Sequence, residues 1–397
     1  MNILFITAFE VSPEVGGTER ATSSIAKGLK EQYHHTCYSV YLMPIAPSFR
    51  RYNFEKSFHI AGRGRSFTNE LADIIKRHNI DIIVNQGCFE MSHGIRKAVE
   101  ISKRNARVIS MLHYYPGSEE RLYNLHRLIY NIKKGNNRLR NIKNLLLFPA
   151  LRYKKHIENS QRYRYAYNDS EKLILLSKSF VKRYIDYAKL NGDGKFYCIP
   201  NSLSFVSYFD MNDYDQKKQE VLIVARLDEI YKRLSLALKI WSFIEQEPSF
   251  REWKLTVVGH GDEYKPYYEK LIRKLNLERV TLEGAQNPEP YYRRASIFLM
   301  TSYSEGFALT LLEAQQNACV PIAFNSFGPF TDIIENGISG ILVPNNDLKE
   351  YVNSLTELMS NYPKRKEMAA DAVESSRKFS QESICSEWES LINSLDA

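Results

Sequence analysis

The sequence predicts an α/β protein with two doubly wound domains, each built on a parallel sheet. Short apolar runs alternate with longer amphipathic stretches along the chain, and this alternation restarts beyond residue 200. The length of 397 residues also exceeds the roughly 100–200 residues of one ordinary domain. Hydrophobic residues make up 44% and charged residues 25%. This balance is typical of a globular chain with a sizeable core, and it excludes a disordered or collagen-like protein.

The first half begins with a predicted strand over Ile3–Phe9, whose apolar run ends before Glu10 and lacks the basic start of a signal peptide. A Pro/Gly loop follows, and then a predicted helix over about Thr18–Gln32. Strands separated by helices imply right-handed crossovers and therefore a parallel sheet. The other strands predicted in this half are Tyr38–Met43, Ile80–Asn85, Arg107–His113 and Lys172–Ser177.

The same rhythm returns after Ile199-Pro200-Asn201, where we place the domain boundary. The strands predicted in the second half are Val221–Ala225, Lys254–Gly259, Val280–Glu283, Ile297–Thr301, Pro321–Phe324 and Gly340–Val343. The helices predicted between them are Leu234–Glu245, Tyr267–Asn276, Leu309–Asn317 and Leu348–Met359.

Charge is divided unevenly between the two halves. Residues 1–200 hold 33 Lys+Arg and 17 Asp+Glu, and the rest hold 21 and 29, so a half of +16 and a half of −8 give the net +8. Residues 121–164 alone carry twelve Lys/Arg and one acid, with apolar residues interleaved at helical spacing. This predicts basic amphipathic helices, interpreted as a surface for anionic lipid, a solvated face or a nucleic-acid surface. The residues favoured for a membrane contact are Lys133, Lys134, Arg138, Arg140 and Lys143.

The five cysteines are scattered, odd in number and without metal-ligand spacing. They are interpreted as reduced, buried apolar residues, which favours a cytoplasmic protein. No run of 18 or more residues stays apolar and uncharged, so no transmembrane helix is predicted.

The strongest cluster of candidate functional residues lies at 301–314, where a strand ends, a polar loop follows and an apolar helix starts. Ligands of open α/β sheets bind beyond the carboxyl ends of strands, and free N–H groups at a helix start suit anionic or hydroxyl-rich ligands. Glu305 lies in the loop and Glu313 in the helix. Each carboxylate is suited to a vicinal pair of sugar hydroxyls. The alternative is that Glu305 caps the helix and Glu313 is solvated.

Two cations, Arg226 and Lys232, flank the loop after another predicted strand. Two fixed positive charges at a strand end suit a diphosphate, whose oxygens Arg binds in bidentate fashion. The alternative is ion pairing with Asp228 and Glu229.

Glycines and a histidine complete the set of candidates. Gly16 and Gly17 lie between the first strand and helix, where glycine lets backbone approach a ligand. Their spacing differs from Gly-x-Gly-x-x-Gly, so a nicotinamide or flavin site lacks its main support. His113 ends one predicted strand and Gly259 ends another. A structural hydrogen bond and a tight turn are their respective alternatives.

Together these motifs resemble those of the retaining glycosyltransferases of the GT-B fold, in particular family 4, over nearly the whole chain. The most specific element is the Glu-x7-Glu motif, here Glu305 to Glu313. Arg226 and Lys232 resemble the diphosphate-binding pair of the family, although their interval is six positions where many members have five. The resemblance implies two Rossmann-like domains, 1–200 and 201–377, facing each other across a cleft. It also implies a C-terminal helix in 378–397 that crosses back to the first domain.

The resemblance also implies roles for these residues. Arg226 and Lys232 would neutralise the diphosphate of a nucleotide-sugar, Glu313 would bind its ribose, and His113 would contact the donor sugar. The catalytic residues implied are His113, Arg226, Lys232 and Glu305. The other donor-binding residues implied are Gly16, Gly17, Gly259, Gly306, Phe307, Ala308, Leu309, Thr310 and Glu313.

The function implied is retaining hexosyl transfer from a nucleotide-sugar, with UDP favoured over GDP. The acceptor would be lipid-linked or a glycan of bacterial cell-surface polysaccharide biosynthesis. No cofactor or metal is expected, because the two cations take the charge role of Mg²⁺. The expected location is the inner face of the cytoplasmic membrane, through peripheral attachment. The alternatives are a nucleotide-sugar epimerase or hydrolase of the same architecture, and a basic nucleic-acid-binding protein.

Overall fold

The computed structural model describes residues 1–14, 16–46, 54–122 and 138–395. They form two compact units, Met1–Pro200 with Cys385–Ala397, and Asn201–Ile384. The chain therefore leaves the first unit after Pro200 and returns to it at Cys385 rather than at residue 378, where the last segment was expected to begin. Lys133 and Lys134 lie outside the described residues.

The first unit is built on a parallel sheet. Its strands are β1 (Asn2–Phe9), β2 (Thr36–Met43), β3 (Lys56–His59), β4 (Ile82–Gln86), β5 (Arg107–Leu112), β6 (Lys172–Leu175) and β7 (Phe196–Cys198). They are ordered β3-β2-β1-β4-β5-β6-β7, and all neighbours run parallel. The helices described in this unit, in chain order, are α1 (Gly17–Tyr33), α2 (Arg65–Arg77), α3 (Ser92–Ser102), α4 (Arg138–Leu146), α5 (Phe148–Asn168) and α6 (Ser179–Ala188).

The second unit contains a second parallel sheet. Its strands are β8 (Lys218–Val224), β9 (Lys254–Val258), β10 (Val280–Gly284), β11 (Ala295–Met300), β12 (Val320–Asn325) and β13 (Ile341–Pro344). Their order is β10-β9-β8-β11-β12-β13. The helices are α7 (Leu234–Gln246), α8 (Lys265–Lys274), α9 (Glu289–Arg294), α10 (Leu309–Gln316), α11 (Phe330–Ile333), α12 (Leu348–Ser360), α13 (Tyr362–Ser376) and α14 (Gln381–Asn393). Two parallel sheets with interleaved helices confirm the predicted fold class.

Each unit has its own apolar core between sheet and helices. Strand β4 is buried along its whole length, as expected of a central parallel strand covered on both faces. Leu71 of α2 and Ile95 of α3 pack into the same core as Ile83. In the second unit, Trp241 of α7 and Tyr351 of α12 are fully buried in the core.

The end of α14 belongs to the first unit. The ring of His35 lies 2.6 Å from the carboxylate of Glu389, and Trp388 is fully buried. The Sγ atom of Cys385 lies 3.9 Å from the carbonyl oxygen of Ile25. These contacts join the last helix to α1 and to the turn between α1 and β2.

All five cysteines are free thiols. Four are buried and Cys198 is half-buried, so the expectation of five buried cysteines was wrong for that one. Burial raises the pKa of Cys37, Cys319 and Cys385 to about 12, which keeps these thiols protonated. Among the described residues, we found no helix with the length and hydropathy that spanning a bilayer requires.

Candidate functional site

Lys232 and Glu305 meet at one edge of the second sheet. Lys232 lies in the loop after β8 and Glu305 in the loop after β11, and these two strands are parallel neighbours. The Nζ atom of Lys232 donates to Oε1 of Glu305 at 2.5 Å. Both side chains are largely buried, with 19% and 15% of their surface exposed. The sheet therefore joins the two sequence motifs into one charged site.

Arg226 presents a more exposed cation in the same loop as Lys232. Its guanidinium lies 3.1 Å from Asp228, and 62% of its side chain is exposed. The other carboxylate oxygen of Asp228 accepts hydrogen bonds from the backbone N–H groups of Ile230 and Tyr231, which shapes the loop. The ion pair with Asp228, which was the alternative considered for this cation, is therefore present, while Arg226 stays accessible to a further anion.

Glu229 accepts hydrogen bonds at the start of α7 instead of forming the ion pair considered for it. Its carboxylate accepts hydrogen bonds from the backbone N–H and the hydroxyl of Ser235, at the start of α7. It also accepts a hydrogen bond from the hydroxyl of Tyr268 at 3.1 Å. Glu229 thus satisfies free donors of the first turn of α7 and fixes the helix to which the cation loop leads.

Arg233 links the two loops, and the sequence analysis missed it. Its guanidinium donates to the carbonyl oxygens of Thr301 and Ser302 at 2.7 and 3.2 Å. It also donates to the side-chain oxygens of Asn346 and Asn345 at 2.7 and 3.1 Å. Its backbone is left-handed, with φ 48°. The available signal was a third cation directly before the helix, but its four partners are distant in sequence.

Further hydrogen bonds place Lys232 relative to the loop that carries Glu305. The Thr301 hydroxyl lies 2.9 Å from the carbonyl oxygen of Lys232. The backbone N–H of Tyr303 donates to the carbonyl of Tyr231 at 2.7 Å. The charged pair is therefore set by backbone contacts as well as by its own attraction.

The start of α10 offers unpaired donors beside Glu305. Within the described chain, no acceptor is recorded for the backbone N–H groups of Gly306, Phe307 and Ala308, whereas that of Leu309 donates to Phe307. The Phe307 ring packs edge-to-face against Phe379, with centroids 5.6 Å apart. Free N–H groups at a helix start attract anions and hydroxyl oxygens, as expected for this motif.

Glu313 is fully buried on α10, so the alternative of a solvated Glu313 was wrong. Its Oε2 accepts a hydrogen bond at 3.0 Å from the hydroxyl of Tyr292, which lies on α9. Its role towards a ribose stays a prediction. Thr310 lies in the first turn of α10 and is partly exposed.

Gly259 is explained by the packing of the Arg226 loop. Its φ is +146°, and a Cβ atom at this position would lie 1.9 Å from the carbonyl oxygen of Ala225. The N–H of Leu227 donates to the carbonyl of His260 at 2.8 Å. The glycine thus lets the loop after β9 lie directly against the loop that carries Arg226. Its contact with a donor stays a prediction.

Gly16 and Gly17, in the first unit, open α1. A Cβ at Gly16 would meet the carboxylate of Glu19 at 2.8 Å, whereas one at Gly17 would meet nothing within 4 Å. Packing within the unit therefore does not require glycine at position 17. The contact of both glycines with a donor stays a prediction.

His113 follows β5 in the first unit and is buried. One ring nitrogen, Nε2, bonds the side-chain oxygen of Gln86, so the structural hydrogen bond considered for it is present. Its Nδ1 has no partner among the described residues. Burial lowers the pKa of His113 to about 4, so the ring is neutral near pH 7. With Nε2 donating to Gln86, Nδ1 offers a buried acceptor for a ligand hydroxyl.

The cavity beside the two cations is small. It measures about 10 Å³ and is lined by Arg226, Lys232, Thr301 and Ser302 among others, which is room for one water molecule. This volume is too small for a diphosphate. The described residues contain no cluster of three or more His, Cys, Asp or Glu with the arrangement of a metal site.

Comparison with known proteins identifies this architecture. Residues 208–375 match the family model of glycosyl transferases group 1. The amylovoran biosynthesis glycosyltransferase AmsD of Erwinia amylovora is 28% identical over 58% of this chain and 64% of its own length. A D-inositol 3-phosphate glycosyltransferase of Kribbella flavida is 31% identical over 35% of each chain. The match covers less than two thirds of either relative's length.

A solved structure extends the likeness to both units. Anabaena HepE, in complex with UDP-glucose, has a TM-score of 0.71 at 16% identity and covers 99% of this chain and 100% of its own. At this identity the likeness concerns the fold. The chain thus has the two-domain fold of the GT-B glycosyltransferases, and its residues 208–375 match the model of glycosyl transferases group 1.

Proposed function

We propose that this protein is a glycosyltransferase that moves a sugar from a UDP-sugar to a glycan or lipid-linked acceptor of a bacterial surface polysaccharide. The observation that carries the proposal is the contact between Lys232 and Glu305, with the exposed Arg226 beside it. A carboxylate for sugar hydroxyls and two cations for a diphosphate are the complementary groups that a nucleotide-sugar needs. The AmsD relative, named for amylovoran biosynthesis, supports the polysaccharide class.

The chemistry proposed is transfer with retention, as the family resemblance implies. Arg226 and Lys232 would attract the diphosphate and stabilise the charge that develops on it as the bond from the anomeric carbon to the phosphate oxygen breaks. The acceptor hydroxyl would bond that carbon on the same face and pass its proton to the departing phosphate. Glu305 and the free N–H groups of Gly306 and Phe307 would hold the sugar. No metal is assigned to this step, because the two cations supply the charge.

UDP is proposed as the nucleotide because HepE, which shares the fold, was solved with UDP-glucose. A panel of UDP-, GDP- and ADP-sugars in thermal unfolding tests this choice. A ligand at 100 times its Kd raises the free energy of unfolding by about 2.7 kcal/mol. We expect UDP-sugars to raise the melting temperature most, and a panel without any shift would contradict the donor assignment.

The reaction type is tested by UDP release. A transferase releases UDP when an acceptor glycan is added, whereas a hydrolase releases it without acceptor and an epimerase converts the sugar with no net release. Adding EDTA should leave the rate unchanged if the cations suffice. Acceptor-independent release would favour the hydrolase, and salt-sensitive binding of DNA or RNA without donor binding would favour the nucleic-acid alternative.

A second part of the proposal is peripheral attachment to an anionic membrane through α4 and the start of α5. Leu146 is 79% exposed and Tyr153 is 68% exposed. The exposed cations Arg140 and Lys143 lie on α4. Apolar side chains that enter the interface, next to cations that attract anionic headgroups, form a peripheral binding surface. Arg138 lies in the same helix, with its side chain outside the description.

Liposome flotation tests this surface. Each cation near an anionic leaflet contributes about 1 kcal/mol, so the R140S/K143S double variant should reduce flotation on phosphatidylserine vesicles by about tenfold or more. Leu146→Ser should reduce it as well. Lys182→Ser removes an exposed cation from α6 and should have no effect. Unchanged flotation of both test variants would contradict the membrane proposal.

A further inference from the structure

A second polar cavity lies wholly within the first unit, beyond the ends of β4 and β5. Its volume is about 340 Å³, within the range of small-molecule sites. The segment after β4 supplies Glu90, and the segment after β5 supplies Tyr114 and Glu119. Helix α5 supplies Lys155, Asn159 and Arg162, so two carboxylates and two cations line the cavity. The carboxyl edge of a parallel sheet is where ligands of open α/β folds bind.

The α5 residues form one continuous face. Lys155, Asn159 and Arg162 follow one another at intervals of four and three positions, which align side chains on a helix. The periodicity therefore turns two cations and an amide towards the same cavity. Helical spacing across two turns separates the Cα atoms of the two cations by about 10 Å along the axis. Their long side chains can therefore contact the same small ligand.

Two of these polar groups lack a protein partner with hydrogen-bond geometry, although the Asn159 side chain also lies near the hydroxyl of Tyr187. Within the described chain, Arg162 has no recorded hydrogen bond or ion pair. Asn159 is 97% buried, and its amide nitrogen has no partner among these residues. Among the residues that the structure describes, Lys155 pairs with Glu158 alone, at 3.9 Å on its own helix, and water competes with this exposed interaction. An unpaired buried donor costs free energy that a bound oxygen would recover.

In contrast to these unpaired donors, Glu119 and Tyr163 on the floor of the cavity are held by hydrogen bonds. The hydroxyl of Tyr163 donates to the carboxylate of Glu119 at 2.9 Å and accepts from the backbone N–H of Gly117 at 3.2 Å. Burial raises the pKa of Glu119, and hydrogen bonds from Tyr163 and Tyr114 oppose that rise. A held carboxylate opposite free donors is suited to a ligand that has both hydroxyls and an anionic group.

We propose that this cavity binds a sugar with an anionic substituent, with Arg162 and Lys155 on the phosphate or carboxylate, Asn159 between them, and Glu119 on a sugar hydroxyl. The inference rests on the proposed function, for which it names an anionic glycan as the acceptor class. Phosphate and carboxylate offer the same oxygen chemistry to the guanidinium. The two sources are therefore separated by the probes.

Ligand-observed NMR with the full chain tests the proposal, using glucose 1-phosphate, glucuronate and glucose as probes. We expect glucose 1-phosphate or glucuronate to bind at least tenfold more tightly than glucose. The probe that binds more tightly of these two shows whether the anionic group is a phosphate or a carboxylate. Equal binding of all three probes would overturn the proposal.

Variants locate the binding. Arg162→Gln should weaken the anionic probe about tenfold or more, and Lys155→Gln less. The neighbouring Lys154→Gln is the matched control, because Lys154 is 75% exposed on the same helix and does not line the cavity. Binding that is unchanged in Arg162→Gln and Lys155→Gln would overturn the assignment.

A further arm separates this site from the donor site. Lys232→Gln should weaken the binding of UDP and leave the binding of the anionic probe unchanged. Arg162→Gln should weaken the binding of the anionic probe and leave that of UDP unchanged. If UDP fails to bind while the probe behaves as expected, the proposed function fails and the cavity stands. If UDP binds and Arg162→Gln leaves the probe unaffected, the cavity proposal alone fails.

Discussion

The ammonium of Lys232 lies 2.5 Å from the carboxylate of Glu305 although 73 positions separate the two residues. The ion pair holds in one place the cation proposed for the diphosphate and the carboxylate proposed for the sugar. A bound diphosphate must therefore share Lys232 with Glu305. Because of this competition, substitutions of Lys232 and of Glu305 should have different effects on UDP binding.

Lys232→Ala should lower the transfer rate about 10²–10³-fold, the usual effect of removing one group that stabilises transition-state charge. Steady-state UDP release with a saturating acceptor measures it. Lys239→Ala removes an exposed lysine from α7 and is the control. Near-wild-type turnover of Lys232→Ala would show that the donor site lies elsewhere.

Glu305→Gln should have opposite effects on binding and turnover. Removing the carboxylate charge frees Lys232 for the diphosphate, so we expect the Kd of UDP to fall several-fold. Transfer should nevertheless fall, because a neutral amide binds sugar hydroxyls less strongly than a carboxylate. Calorimetric titration with UDP measures the first effect, and weaker UDP binding would contradict the competition.

Arg233→Ala should destabilise the second unit by about 2–4 kcal/mol, since charged hydrogen bonds to several oxygens are lost together. Arg233→Gly loses the same bonds but suits the left-handed backbone, so it should be about 1 kcal/mol less destabilised than the alanine variant. Urea unfolding measures both. Arg251→Ala is the control, because its side chain is 81% exposed. Equal stability of Arg233→Ala and wild type would refute the linking role.

Gly259→Ala should lower the free energy of unfolding by more than the backbone strain of a positive φ alone. Gly337 also has a positive φ, +84°, but a Cβ there meets nothing within 4 Å. Gly337→Ala should therefore cost about 1–2 kcal/mol of backbone strain. Gly259→Ala adds the overlap with Ala225 and should cost ~3 kcal/mol or more, with weakened UDP binding through displacement of the Arg226 loop. Similar unfolding midpoints for the two variants would contradict the packing argument.

The buried His113 should make stability depend on pH. Its pKa is lowered from 6.5 to about 4, so between these values the unfolded chain binds a proton that the folded chain does not. The contribution is therefore present above pH ~6.5 and is lost as pH falls towards 4, by about 3 kcal/mol in total.

Comparing the unfolding of wild type and His113→Asn over pH 4–8 isolates this contribution. The difference between their unfolding free energies should shift by up to ~3 kcal/mol across the window. His34→Asn, at an exposed histidine, is the control. A constant difference between wild type and His113→Asn would contradict a neutral buried ring.

Central strands were predictable because both of their faces are buried and they read as apolar runs, as in β4 and β11. The edge strands β3 and β7 were missed. Lys56–His59 is mostly exposed, and Phe196–Cys198 has only three residues, so neither carries an apolar pattern. Pairing with one neighbour, which local sequence does not encode, makes them strands.

By itself, the sequence determined the alternation of strands and helices that builds two parallel sheets. It also determined the charges that Arg226, Lys232 and Glu305 bring to the loops, since periodicity and residue type are local properties. Only the tertiary structure decided that Lys232 pairs with Glu305, that Arg233 joins their loops, and that Glu313 is buried against Tyr292. These contacts depend on which strands become neighbours and on which helix face is turned inward. That choice is made by the packing of the whole unit, where burial and long-range hydrogen bonds outweigh local preference.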